Sequence, residues 1–141
     1  MKTIMLFVLL AASNPAYGPY NATVIKAKDA DTITVAVELW PGLVQMIDLR
    51  LYGIDTPESR TKNLCEKRQG LQAKEFVKAY IAKHGPRVIV DKVILGKYAG
   101  RAVGELIINN VNLSTLLIEK NMARPYFGGT KDKRPWPGCN Q

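Results

Sequence analysis

The chain has 141 residues, with 20 Lys plus Arg against 12 Asp plus Glu, a formal net charge of +8, an apolar fraction of 47% and two cysteines. One domain of ordinary size fits this length and can bury well over half of its unfolded surface, which excludes multidomain enzymes and disulfide-scaffold miniproteins. Charged residues at 23% and aromatics at 8% exclude a largely disordered tail protein, while the positive excess points to a polyanionic partner, nucleic acid or an anionic membrane surface, without specifying any chemistry.

Met1-Lys2 followed by the apolar run from Ile4 to Ala12 is built like a secretory signal peptide. The run is shorter than the roughly 20 residues of a spanning helix, and beyond Ser13, Asn14 and Pro15 it reaches small residues suited to cleavage. Cleavage is expected after Gly18, with Ser13 or Ala16 as alternative points and an uncleaved N-terminal anchor as the competing reading. Residues 1–18 are thus read as a leader, 19–126 as the folded domain and 127–141 as an irregular tail. Cleavage removes only Lys2 from the basic side, so the exported chain, periplasmic or secreted, stays strongly basic and has no stable membrane association.

Val24 to Lys28 and Ile33 to Leu39 are rich in β-branched residues and flank Asp29-Ala30-Asp31, which predicts a hairpin. Trp40-Pro41-Gly42 breaks the second strand, and Val44 to Leu51 alternates as a third. From Glu66 to His84 the period changes: Ala73, Phe76, Val77, Tyr80 and Ile81 fall at three- and four-residue spacing and Gly85-Pro86 closes an amphipathic helix. Val88 to Leu95 and Ala102 to Ile108 form another strand pair, and Asn112 caps a second helix with Leu113, Leu116 and Leu117 facing inward. Five strands with a helix between the third and fourth and another after the fifth is the OB-fold order, a mainly β protein with helices (α+β) closed into a small barrel.

Export allows Cys65 and Cys139 to pair, and closing a loop of that length is worth about 4 to 5 kcal/mol in the chain-entropy model. The alternatives are a free thiol pair or a metal site, and two sulfurs with the single histidine, His84, make a poor zinc set.

The segment Arg50-Leu51-Tyr52-Gly53-Ile54-Asp55-Thr56-Pro57-Glu58 resembles the staphylococcal nuclease (thermonuclease) family. Val24 to Thr32, with Asp29-Ala30-Asp31-Thr32 at its end, is similar to that family's first hairpin, and the resemblance runs on through Lys97 to Arg101 and to Pro125-Tyr126. It implies a Ca2+-dependent nuclease that hydrolyses phosphodiester bonds in DNA and RNA and leaves 3′-phosphate ends. It implies Asp31, Asp55 and the Thr56 carbonyl as Ca2+ ligands, and Glu58 as the general base. Arg50 and Arg101 are the expected phosphate clamps, with Lys97, Tyr98 and Tyr126 in weaker substrate-binding roles.

The residue types suit the chemistry. Phosphodiester hydrolysis needs a water near an anionic phosphorus and a transition state whose oxygens carry more charge than the substrate's. Carboxylates hold a hard divalent cation, a further carboxylate orients or deprotonates water, and arginines grip the remaining oxygens bidentately. Taken singly, Asp29, Asp31 and Asp55 also read as turn-capping carboxylates and Glu58 as a solvated loop residue.

Two departures from the family pattern bear on the site. The family's compact Lys-Tyr-Gly-Arg turn, preceded by Asp, is here Gly96-Lys97-Tyr98-Ala99-Gly100-Arg101, an insertion that a hairpin turn can absorb as a bulge. At the C-terminus a long final helix is replaced by Gly128 to Cys139, whose prolines forbid a helix and which Cys139 would tie back beside Glu58. Exported family members with a similar Trp and Cys ending support that reading. Tyr126 and Trp136 are candidates for base stacking or for packing. The expected protein is a monomer acting on single strands by preference. The alternative is a non-catalytic OB-fold nucleic-acid-binding protein.

Overall fold

In the computed structural model, which describes residues 16–96 and 101–139, period-2 burial builds a barrel. β1 (Tyr20–Asp29) turns Ala22 and Val24 inward, β2 (Thr32–Trp40) Ile33, Val35 and Val37, and β3 (Leu43–Leu51) Leu49 and Leu51. After a three-residue strand β4 (Gly53–Asp55) and helix α1 (Leu64–His84), β5 (Arg87–Leu95) contributes Val88 and Val90. β6 (Arg101–Ile108) contributes Ala102, Leu106 and Ile108. The short β7 (Val111–Asn112), helix α2 (Leu113–Glu119) and β8 (Arg124–Tyr126) complete the order.

The sheet order β3-β2-β1-β5-β6 closes because β6 also pairs with β3, in parallel, with Asp48 opposite Arg101 and Leu51 opposite Gly104. This is the expected five-stranded barrel, with α1 between its third and fourth strands and α2 after the fifth: an OB-fold. β1 is long and bulged at Val24/Lys26 and Ala27/Asp29; Tyr20 to Thr23 pair with β5 and Ala22 to Asp29 with β2, so Ala22 and Thr23 pair with both neighbours. α1 lays Gly70, Ala73 and Val77 inward, with Phe76, Tyr80 and Ile81 half-buried against the core. Asn112 caps α2 as expected, its side chain accepting from the Ser114 and Thr115 amides. No described helix is long and apolar enough to cross a membrane.

The structure extends the sequence reading at several edges. β1 starts at Tyr20, and Tyr17 exchanges two backbone hydrogen bonds with Val93, at 2.9 and 2.8 Å. Most of the leader, the Lys97-to-Gly100 turn with its Ala99 insertion, and the last two residues lie outside the described residues. Three short strands went unpredicted because two or three residues carry no periodicity. One pair of them, β4 and β8, matters most: it sets Asp55 opposite Arg124 and Gly53 opposite Tyr126.

From Phe127 to Cys139 the chain is irregular, as its glycines and prolines require. A Cys65–Cys139 disulfide ties it to the first turn of α1, which settles the open reading of the two cysteines.

Candidate active site

The turn between β1 and β2 carries Asp31, and its carbonyl accepts from the Leu51 amide at 2.8 Å, which pins the turn to the end of β3. Arg50, the register partner of Thr32 on β3, then stands beside Asp31. Its Nη1 is ion-paired with Asp31 Oδ2, while Nη2 lies 3.6 Å from Asp55 Oδ1 and donates to the Ile54 carbonyl at 3.3 Å. One guanidinium therefore gathers two carboxylates that are far apart in sequence. Both carboxylates belong to buried residues, Asp31 at 9% and Asp55 at 7% exposure.

Asp55 comes within reach because the chain reverses sharply after β3. Gly53 sits at φ +85°, a left-handed conformation that glycine adopts without penalty. The preceding residue is fixed from both sides: the Tyr52 amide donates to the Gly104 carbonyl at 2.9 Å and the Tyr52 carbonyl accepts from Ser114 Oγ at 2.8 Å. Thr56, next along, donates its hydroxyl to Asp31 Oδ2 at 2.8 Å, and Thr32 donates to Oδ1 at 3.0 Å. Burial pushes the Asp31 carboxyl up, but the Arg50 charge and the hydrogen bonds from Arg50, Thr56 and Thr32 outweigh it and hold its pKa below the usual value.

Glu58 projects from the loop after β4 with its side chain 56% exposed. Its Oε1 accepts from the Arg60 amide at 3.1 Å. The loop itself is anchored on both sides. Ser59 Oγ donates to Asp29 Oδ1 at 2.5 Å and Arg60 Nη2 to Asp29 Oδ2 at 2.9 Å, so Asp29 braces the Glu58 loop. On the other side, the Glu58 amide donates to Glu66 Oε1 at 3.1 Å.

Arg101 opens β6 opposite Asp48, two positions from Arg50 along the partner strand, so it shares Arg50's face of the barrel. It is exposed, and among the described residues it forms no ion pair with Asp31, Asp55 or Glu58. Lys97 and Tyr98 fall outside the described residues. The Tyr126 hydroxyl donates to the Gly129 carbonyl at 2.9 Å, and Trp136 is buried with the Arg124 guanidinium 3.8 Å from its ring centroid. Trp136 is therefore packed rather than open for stacking.

The tail and β8 each bring to Asp55 a cation that the sequence reading did not assign to the site. Lys131 Nζ donates to Asp55 Oδ1 at 2.7 Å, and Arg124 Nε, buried without a hydrogen-bond partner, is 3.9 Å from Asp55 Oδ2. The remaining Arg124 nitrogens donate to the Arg134 carbonyl at 3.2 Å and the Asp132 carbonyl at 2.8 Å, which docks the tail. In the sequence Arg124 merely precedes Pro125-Tyr126, and nothing local marks Lys131.

Asp31 and Asp55, converging at one guanidinium with the Thr56 hydroxyl on Asp31, make an all-oxygen donor set that fits a hard divalent cation better than a soft one. No group of three or more His, Cys, Asp or Glu among the described residues is arranged to hold a metal, so further ligands would have to be carbonyls or waters. Arg50 stands between the two carboxylates, and Glu58, three residues beyond Asp55, leaves its carboxylate largely open to solvent.

A search of curated proteins returned no match for the chain. The family model described as staphylococcal nuclease homologue matches residues 48–135, more than half of the chain, and takes in Arg50, Asp55, Thr56, Glu58, Arg101, Tyr126 and most of the tail.

Proposed function

Because this chain belongs to the staphylococcal nuclease family, we propose that it is an exported, calcium-dependent nuclease that hydrolyses phosphodiester bonds in DNA and RNA and leaves 3′-phosphate ends. The observation that carries the reading is the convergence of Asp31 and Asp55, from different elements, on Arg50, with Glu58 three residues beyond Asp55 on a braced and open loop.

In this reading Asp31, Asp55 and the Thr56 carbonyl hold the calcium ion, which when bound supplies positive charge against the phosphate oxygens. Arg50 has five donors and a planar fork, so it can grip a phosphate oxygen while still orienting the carboxylates. Glu58 takes or directs the proton of a water aimed at phosphorus, a role its exposure suits because water reaches it freely. The in-line attack displaces the 5′-oxygen. Arg101, on the same barrel face, and Lys131, at Asp55, add positive charge where the transition state gains negative charge. The basic surface attracts the polyanion, and in this reading the small barrel acts as a monomer on single strands by preference.

The test is incubation of the purified mature protein with plasmid and single-stranded DNA in calcium and then in a chelator. Cleavage should require calcium. Glu58→Gln should lose at least about 100-fold in kcat, the ordinary worth of a general base, with binding kept. DNA shifted on a gel but never cut would leave only the non-catalytic binding protein.

A further inference from the structure

Glu66 occupies the third position of α1, where an acid three residues after an Asn cap is expected to reach back to the cap's own amide. It does not. The Asn63 amide donates instead to Thr61 Oγ1 at 3.2 Å, while Asn63 Oδ1 accepts from the Glu66 amide at 3.1 Å. Glu66 Oε1 is turned outward and accepts two other donors, the Glu58 amide at 3.1 Å and the Trp136 indole Nε1 at 3.1 Å. One carboxylate oxygen thus joins the loop that carries Glu58 to the C-terminal tail.

The surroundings make this junction stiff. Cys65, the neighbour of Glu66, is bonded to Cys139, and Gln69, one turn along, donates to the Pro137 carbonyl at 2.7 Å. Trp136 cannot drift, since Arg124 covers its ring and is itself tied to the Asp132 and Arg134 carbonyls. The Glu58 side chain, by contrast, is held among the described residues by Arg60 alone, whose amide donates at 3.1 Å and whose exposed guanidinium Nε lies 4.0 Å away. Its direction is set by the backbone, and the backbone amide is the point Glu66 grips.

We propose that Glu66 is a positioning residue for Glu58: its carboxylate fixes the Glu58 backbone against the disulfide-closed tail and so sets where the Glu58 carboxylate points. This rests on the reading of Glu58 as the group that acts on water. A cap or helix-dipole acid would act through stability alone. A positioning residue acts on turnover, and what it needs is an acceptor oxygen rather than a charge.

The experiment uses the full mature, disulfide-closed protein, with kcat and KM for DNA cleavage measured separately and hydrogen exchange followed at the Glu58 amide. Glu66→Ala should lower kcat about tenfold, the ordinary consequence of one lost charge-assisted hydrogen bond, leave KM within about twofold and speed exchange at the Glu58 amide. Glu66→Met, which keeps the stem and lacks the acceptor, should do the same and serves if the alanine variant fails to fold. Glu66→Gln keeps an acceptor oxygen and should restore at least about half of kcat. Wild-type kcat in both acceptor-free variants, with Glu58→Gln inactive, would overturn the proposal and leave the role of Glu58 standing, as would a glutamine variant no better than alanine. Full activity of Glu58→Gln would instead remove the reading on which the proposal rests. Unchanged kcat in Trp136→Phe, which loses only the indole donor, would overturn the part assigned to the tail.

Discussion

Asp48 stands two residues from Arg50 on the same face of β3, yet its partners are different: Lys28 pairs with Oδ2, and Thr34 Oγ1 donates to Oδ1 at 2.8 Å. The hydrogen bonds from Lys28 and Thr34 outweigh a small desolvation and, with the nearby Lys28 and Arg101 charges, hold the Asp48 carboxyl below its usual pKa. A carboxyl whose folded pKa is depressed adds stability that is present above its unfolded value, near 3.9, and is lost as the pH falls through the folded value. Asp48→Asn has no proton to gain. Urea denaturation should therefore show wild type and variant converging as the pH drops below about 4, with wild type ahead at pH 7 by under about 1 kcal/mol because Lys28 is well solvated. A constant gap across that range would mean that the pair contributes nothing through charge. The same residue-by-residue view explains Asp29. In the sequence it reads as a turn-capping carboxylate, and the structure gives it another part, a brace for Ser59 and Arg60. Nothing near Asp29 in sequence could have shown this, since its partners are some thirty residues away.

At the scale of elements, α1 and the Glu58 loop fit together through a missing side chain. A Cβ at Gly70 would lie 2.6 Å from the Pro57 carbonyl oxygen and 2.8 Å from the Ser59 amide nitrogen. Both are backbone atoms and cannot swing aside. Gly70→Ala gains about 1 kcal/mol of helix propensity but incurs an overpacking cost of about 1 to 3 kcal/mol, so the midpoint of chemical denaturation should fall and the Glu58 loop should shift. A rise in stability would show that the loop yields and the fit is not tight. The sequence marked α1 well, because its change of period and the Gly85-Pro86 stop are local. It could not mark β4 and β8, which owe their existence to each other: Asp55 and Arg124 become neighbours only through a three-residue pairing.

At the scale of the molecule, the tail is fastened to the barrel by the Cys65–Cys139 bond and by the Arg124 and Gln69 hydrogen bonds, and it brings Lys131 onto Asp55. Closing a loop of 74 residues removes denatured-state entropy worth about 4 to 5 kcal/mol in the chain-entropy model, so reduction should lower the denaturation midpoint by a comparable stability. The intact mass of the purified protein checks the same assembly, being lighter by two hydrogens when the bond is closed. It also reports the N-terminus. Cleavage after Ser13 or Ala16 would retain the Tyr17–Val93 bridge, whereas cleavage after Gly18 would remove it. A start at Pro19 together with unchanged stability would show the bridge to be dispensable.

The sequence by itself determined the strand and helix order of the barrel and singled out Asp31, Arg50, Asp55, Thr56 and Glu58 as candidates, because period-2 alternation, helical spacing and two short motif segments are local properties that survive without coordinates. The tertiary structure alone decided which groups surround those candidates. Lys131, Arg124 and Glu66 reach them through a disulfide, a three-residue strand pair and a carboxylate diverted from its own helix cap, contacts between distant residues whose energy exists only once the chain has closed on itself.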